Sequence, residues 1–134
     1  MGTFKSLEEA REFFKNDKFA TNSGMVIDEM CDDYVICSVE LNDNHRNAYG
    51  GVMGGAIFTL ADLAFAVASN NRCIGTVALQ VSINYFNAPK GDKLFAKAVC
   101  QKDGRTTCVY CVNVTDNTGR SIAQFIGTGY KTKQ

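Results

Sequence analysis

The 134-residue chain holds one histidine, one proline and no surplus of either charge. With His45 as the sole histidine, a Ser-His-Asp or Cys-His triad has a single residue to draw on, and no nucleophile elbow accompanies it. His45 reads as a solvated loop residue or a local contact near the glycines that follow it. Pro89 stands alone, which argues against disordered linkers or a second domain, and 134 residues fit one domain (1–134) with a real core. Lys plus Arg and Asp plus Glu number 14 each, so there is no electrostatic case for nucleic acid or for an anionic membrane. The longest apolar stretch is interrupted by Thr59 and Asp62 and is too short for a membrane span. The opening residues Met1 to Glu9 carry acids and no apolar h-region, so no signal peptide is expected and the expected compartment is the cytoplasm.

Cysteine, by contrast, is plentiful, with six residues. Most lie in apolar, strand-like runs, and the reading is reduced, buried thiols rather than a disulfide framework. Cys108-Val-Tyr-Cys111 is a CxxC, but positions three apart in a strand point to opposite faces, and no second CxxC exists. No metal site is expected.

In chain order, Ser6-Leu-Glu-Glu9 is a capping box that predicts a helix over about 6–17, with Leu7, Ala10, Phe13 and Phe14 on one face. Residues 1–20 form an N-terminal helical extension in this reading. Met25 to Met30 and Tyr34 to Leu41 read as paired strands about a Cys31-Asp-Asp33 turn. After residue 71 the pattern is β throughout: Ile74–Phe86, Leu94–Gln101, Thr106–Thr115 and Ser121–Lys131. Asp103-Gly104 marks a hairpin and Asp116-Asn-Thr-Gly119 a turn. The expected fold is α+β, with about six mainly antiparallel strands joined by hairpins and one long helix packed on them.

Residues 47–70 are the centre of the chain. Four glycines at 50, 51, 54 and 55 predict a tight loop, and the Ala- and Leu-rich run to Ala68 predicts a buried helix. One carboxylate, Asp62, sits in that helix, with Phe58 four residues before it and Phe65 three after. A carboxylate in such company needs a partner, a shifted pKa or a chemical task. The loop lacks the spacing and the Lys-Ser/Thr of a nucleotide cradle. The N–H groups of Gly54 and Gly55, in a first helical turn, have no intrahelical acceptor and suit an oxyanion. Asp62 suits a general base or a nucleophile. Eight residues of helix separate them by about 12 Å, so one carbonyl cannot be held by Gly54 and attacked by Asp62 of the same chain. If both act, two such helices meet in a homodimer. The glycines can equally serve close packing, and Asp62 can equally hydrogen-bond a neighbouring loop.

Asn47-x-x-Gly50-x-x-Met53-Gly54-Gly55, followed by Leu60-Ala61-Asp62 and Ala66 to Asn70, resembles the hotdog-fold acyl-CoA thioesterases, and most closely the phenylacetic-acid-degradation (PaaI-like) family. The similarity runs on through Thr76 to Leu79, Ile83-Asn-Tyr85, Gly91-Asp92, Gly104-Arg105-Thr106 and Ile122-Ala123 to Gly127. The resemblance implies a hotdog fold, one long central helix wrapped by the sheet, and hydrolysis of an acyl- or aryl-acyl-CoA to the free acid and coenzyme A. It implies Asp62 as the catalytic carboxylate, Gly54 as the amide that holds the thioester carbonyl with Gly55 beside it, and Asn47 as a residue orienting thioester or water. It also implies a homodimeric site, and commonly a dimer of dimers. Coenzyme A enters as part of the substrate, with no separate cofactor.

Two positions depart from the family's pattern. Met53 stands where histidine is usual, and a thioether donates no hydrogen bond, so weaker activity or a changed substrate follows. Ala78 stands where some relatives carry a hydroxyl, with Thr76 and Ser82 as the hydroxyls on that strand. Phe58 and Phe65 suit aromatic or medium-chain acyl groups. Lys90, Lys102 and Arg105 are candidate contacts for coenzyme A phosphates. Two other readings stand beside the thioesterase. One is a hotdog protein that binds acyl-CoA without cleaving it, which Met53 favours. The other is a hydratase or dehydratase, which would need an Asp-His pair.

Overall fold

The computed structural model describes residues 2–132. The Ser6 side chain accepts from Glu9 N at 3.1 Å and opens α1 (Leu7–Phe14), as its capping pattern predicts. The helix ends three residues short of expectation. Asn16 turns its own N–H and its side-chain amide onto Phe13 O, and a second, unforeseen helix α2 (Lys18–Asn22) follows. Arg11 ties α1 to the sheet, both Nε and Nη2 donating to Ile27 O at 2.9 and 2.8 Å.

Six strands make one sheet: β1 (Val26–Met30), β2 (Val35–Glu40), β3 (Thr76–Tyr85), β4 (Lys93–Asp103), β5 (Thr107–Asp116) and β6 (Ser121–Lys131). Their order is β1-β2-β4-β5-β6-β3, and every neighbouring pair is antiparallel. The β4–β5 and β5–β6 hairpins form where Asp103-Gly104 and Asp116 to Gly119 predict them. The expected hairpin from β3 to β4 does not form. β3 lies on the far edge beside β6, while β4 lies between β2 and β5. The connection crosses the strand ends, held by polar anchors. Phe86 N donates to Ile122 O, and the buried Asp116 carboxylate accepts from Lys90 N and Gly91 N at 2.8 and 3.0 Å. Alternation within a strand carries no trace of such long-range anchoring.

The long helix α3 (Gly54–Arg72) fills the concave face. Leu60, Ala61, Ala64, Phe65 and Val67 are buried against Cys37, Leu94, Ala96, Tyr110, Val112 and Phe125. β6 passes close beneath it, because a Cβ on Gly127 would lie 3.1 Å from the Phe65 ring. One stripe of α3 stays open: Gly55, Thr59, Asp62 and Ala66, spaced four, three and four residues apart, are not buried. The helix expected to be covered all round therefore has an uncovered face, and it carries the lone carboxylate. At its Gly55–Thr59 end that face shares a cavity with Tyr85 of edge strand β3, on which Val77 and Leu79 are also exposed. No helix among the described residues is long and apolar enough to cross a membrane.

Candidate active site

The loop before α3 is built on His45. Asn42 N donates to His45 Nδ1 at 3.0 Å, so Nε2 carries the proton and donates to Ser23 O at 2.8 Å. His45 O accepts from Met53 N at 2.8 Å. His45 is 3% exposed, so of its two readings the solvated residue is corrected and the local contact near the glycines holds. Its polarity is met entirely by backbone, a state sequence does not signal. Both ring nitrogens are engaged away from Asp62, so the Asp-His pair of a hydratase is not formed here.

Asn47 organises the glycine turn. Its Oδ1 accepts from Tyr49 N and Gly51 N at 3.0 and 3.1 Å, and its N–H donates to Gly51 O. Gly50 adopts φ +85°, open to glycine at low cost. The Asn47 carboxamide oxygen is thus committed to the loop, and the Nδ2 protons are what it offers to a ligand. Met53 then enters α3 as an N-cap without a side-chain hydrogen bond. Its carbonyl accepts from Ala56 N and Ile57 N. Among the described residues, no acceptor meets the Gly54 and Gly55 N–H groups, so two donors and the positive end of a 19-residue helix face outward.

Two cavities lie along the open stripe of α3. The larger, about 470 Å³, is lined by Phe19, Met25, His45, Met53, Gly55, Phe58 and Tyr85 among others. The other, about 260 Å³, is lined by Asp17, Lys18, Thr59, Asp62 and Leu63, and Phe19 and Phe58 border both. Asp62 is half-buried, and among the described residues no hydrogen bond to its carboxylate is formed. Burial raises its pKa above the ordinary carboxylate value, and the neighbouring Asp17 charge raises it further. Burial also raises Asp17. Half-exposed Met53 reaches over the helix start, where its Cε would lie 3.2 Å from a Cβ on Gly55. The Phe58 ring packs on Phe125 at 5.3 Å.

The remaining candidates lie elsewhere. Thr76 is buried at the other end of α3, about 27 Å from Gly54 along the axis. Its hydroxyl donates to Cys73 O at 2.6 Å, so Thr76 closes the helix-to-strand turn. Arg105 is exposed in the β4–β5 turn at that same end, beside the Arg72–Asp103 ion pair. Ala78 and Ser82 are exposed on β3. Sequence reasoning missed Tyr85, Phe19 and Asp17 as site residues. Period-two alternation could have placed Tyr85 on the helix side of β3. Nothing local signals α2.

A long helix enclosed by one antiparallel sheet, with a glycine turn at its start, defines the hotdog fold. Residues 49–123 match the family described as Thioesterase superfamily. Escherichia coli acyl-coenzyme A thioesterase PaaI is 27% identical over 128 residues, 95% of this chain and 91% of that protein. Its structure superposes with a TM-score of 0.87, covering 94% and 92% of the two chains. A hypothetical thioesterase of Streptococcus pneumoniae, solved with coenzyme A, is 34% identical with a TM-score of 0.79, covering 90% and 98%. Human acyl-coenzyme A thioesterase 13 is 32% identical over 94 residues, 67% of each chain. The chain belongs to the thioesterase superfamily. Within it, the protein is a PaaI-like hotdog thioesterase, a thioester hydrolase.

Proposed function

We propose that the protein hydrolyses an acyl- or aryl-acyl-CoA thioester at a site shared by two copies of the chain. The observation that carries this is the open stripe of α3, with two amides at one end and a carboxylate about 12 Å along it, all without a hydrogen-bond partner among the described residues. Two such helices side by side and antiparallel put Gly54 of one chain near Asp62 of the other. The exposed edge of β3, ten residues long with Val77 and Leu79 uncovered, supports that pairing, and a dimer of dimers is the larger assembly we expect. The Gly54 N–H, with Gly55 beside it, holds the thioester oxygen as charge builds on it. Asp62 takes a proton from water while the water oxygen bonds the carbonyl carbon. The C–S bond then breaks, and the coenzyme A thiolate leaves and is protonated. In the nucleophilic variant an Asp62 oxygen forms the bond first, and water cleaves the resulting anhydride. A raised pKa makes Asp62 a stronger base near neutral pH. Asn47 Nδ2 orients water or thioester, and Phe58, Met53 and Gly55 border the acyl group. In the dimer the Arg105 turn of one chain approaches the Gly54 end of the other, within reach of coenzyme A phosphates together with Lys102 and Lys90. Coenzyme A belongs to the substrate, and no other cofactor is required. Six free cysteines support a reducing, cytoplasmic setting.

A second reading, acyl-CoA binding without cleavage, is favoured by Met53, whose side chain lies beside Gly55 and offers no donor. A panel of acyl-CoAs from acetyl to palmitoyl, with phenylacetyl and benzoyl, tests both, followed by loss of thioester absorbance because the thiols would react with a dye. Turnover that collapses in Asp62→Asn supports the hydrolase. Calorimetric binding without turnover supports the second reading. Light scattering that shows only monomer would overturn the shared site.

A further inference from the structure

Tyr85 has no task in the chemistry above, yet it is bound to the start of α3. Its Oη donates to Gly54 O at 3.0 Å. The ring lies against the glycine, so that a Cβ there would come within 3.2 Å of Cζ and 3.3 Å of Oη. Burial raises the phenol pKa above its ordinary value, so the group stays a donor across the working pH range. Tyr85 also stands between two spaces. It borders the 470 Å³ cavity on the Gly55 side and a cleft of about 300 Å³ on the Gly54 side, formed with Val52, Phe86 and Pro89.

The two outward amides belong to different peptide planes. Gly54 N–H lies on the Met53–Gly54 plane, fixed by Met53 O accepting from Ala56 N and Ile57 N at 3.0 and 3.3 Å. Gly55 N–H lies on the Gly54–Gly55 plane, and the carbonyl of that plane is the one that Tyr85 holds. We infer that Tyr85 is a positioning residue for the oxyanion site: its hydroxyl fixes the Gly54–Gly55 peptide and makes Gly55 N–H a second donor beside Gly54 N–H. A hydrogen bond to a carbonyl draws electron density through the amide and strengthens the N–H at its other end. Fixing the plane also removes reorganisation when charge appears on the substrate oxygen. An oxygen held from both planes sits at the boundary between the two spaces, with the ring as the wall that separates acyl group from thiol arm.

This inference rests on the oxyanion role proposed for Gly54, and its test keeps the two apart. Wild type, Tyr85→Phe and Asp62→Asn are assayed on the best substrate of the panel, and the Gly55 amide resonance is recorded for the substrate-free wild type and Tyr85→Phe. Phenylalanine keeps the wall and removes only the donor. The expected result is a kcat lower by about tenfold, part of the ~10²–10³ that loss of a whole oxyanion donor costs. KM should stay within about twofold, since ground-state binding is untouched. The Gly55 N–H resonance should move upfield as its plane loses polarisation. Unchanged kcat alongside Asp62-dependent turnover would overturn the positioning role and leave the hydrolase standing. A loss carried by KM alone would make Tyr85 a substrate contact and overturn it as well. Should the wild type cleave nothing, the Gly55 resonance alone decides: movement supports the inference, and an unmoved signal ends it.

Discussion

The two ends of α3 are built on opposite principles. At the C-terminal end the buried Asn70, Asn71 and Thr76 side chains all bond to backbone. Asn70 donates to Ala66 O and Thr76 O and accepts from Gly75 N and Thr76 N, making four hydrogen bonds. Asn71 Oδ1 accepts from Phe4 N, and Thr76 donates to Cys73 O. At the N-terminal end the cap residue has no side-chain bond and two amides point away from the protein. One end holds the fold and the other is left unsatisfied for a ligand. A helix start without a cap gives up about 0.5–2 kcal/mol that a Ser or Asp would have supplied. The satisfied end and the packed stripe of the same helix offset that loss.

Four substitutions sharpen the contrast. The largest change is expected from Asp62→Asn, on the open stripe: turnover falls by about 10²–10⁴, the range of a general base, while urea unfolding shows stability unchanged or higher. Removing a half-buried charge that faces Asp17 relieves the folded state, so a large stability loss would place Asp62 in the framework instead. Asn70→Ala should do the reverse. Orphaning buried groups at about 1–3 kcal/mol each predicts a stability loss of about 3 kcal/mol in denaturant titration, with kcat near wild type below the transition. If Asn70→Ala lowered kcat selectively, the two ends would not be separable. Gly54→Ala sets a methyl against the Tyr85 ring, which can give way. A roughly tenfold lower kcat with modest loss of stability is expected, because the donor is displaced rather than removed. Asp17→Asn should act only on pH dependence. Asp62 works as the carboxylate, so kcat/KM rises as pH passes upward through its pKa. The Asp17 charge holds that pKa up, so its removal moves the acid limb to lower pH. A limb that stays in place or moves to higher pH would show that α2 does not act on the base.

Much of this was legible because it is local. The Ser6 cap, the Asp103-Gly104 hairpin, the extent of β6 from Ser121 to Lys131, and the glycine turn with Asp62 eight residues beyond it all follow from spacing. The missed features depend on contacts between distant residues. β3 leaves the hairpin succession because Asp116 and Ile122 hold the connection at residues 86–91. His45 is buried because Ser23, 22 residues earlier, offers it a carbonyl. α2 carries no period of its own, yet it brings Asp17 and Phe19 to the cavities beside Asp62 and Gly55. Tyr85 reads as one more strand aromatic until its hydroxyl is seen on Gly54.

The distance between Gly54 and Asp62 also has a genetic consequence. In the proposed dimer each site borrows its amide from one chain and its carboxylate from the other. Two alleles, one damaged at Gly54 and one at Asp62, would each be silent alone. When they are co-expressed and mix freely, half of the dimers are mixed. A mixed dimer gathers both lesions into one site and leaves the other whole, so about a quarter of all sites are restored. The chain is thus open to complementation between two defective copies, which a site enclosed within one chain could never show.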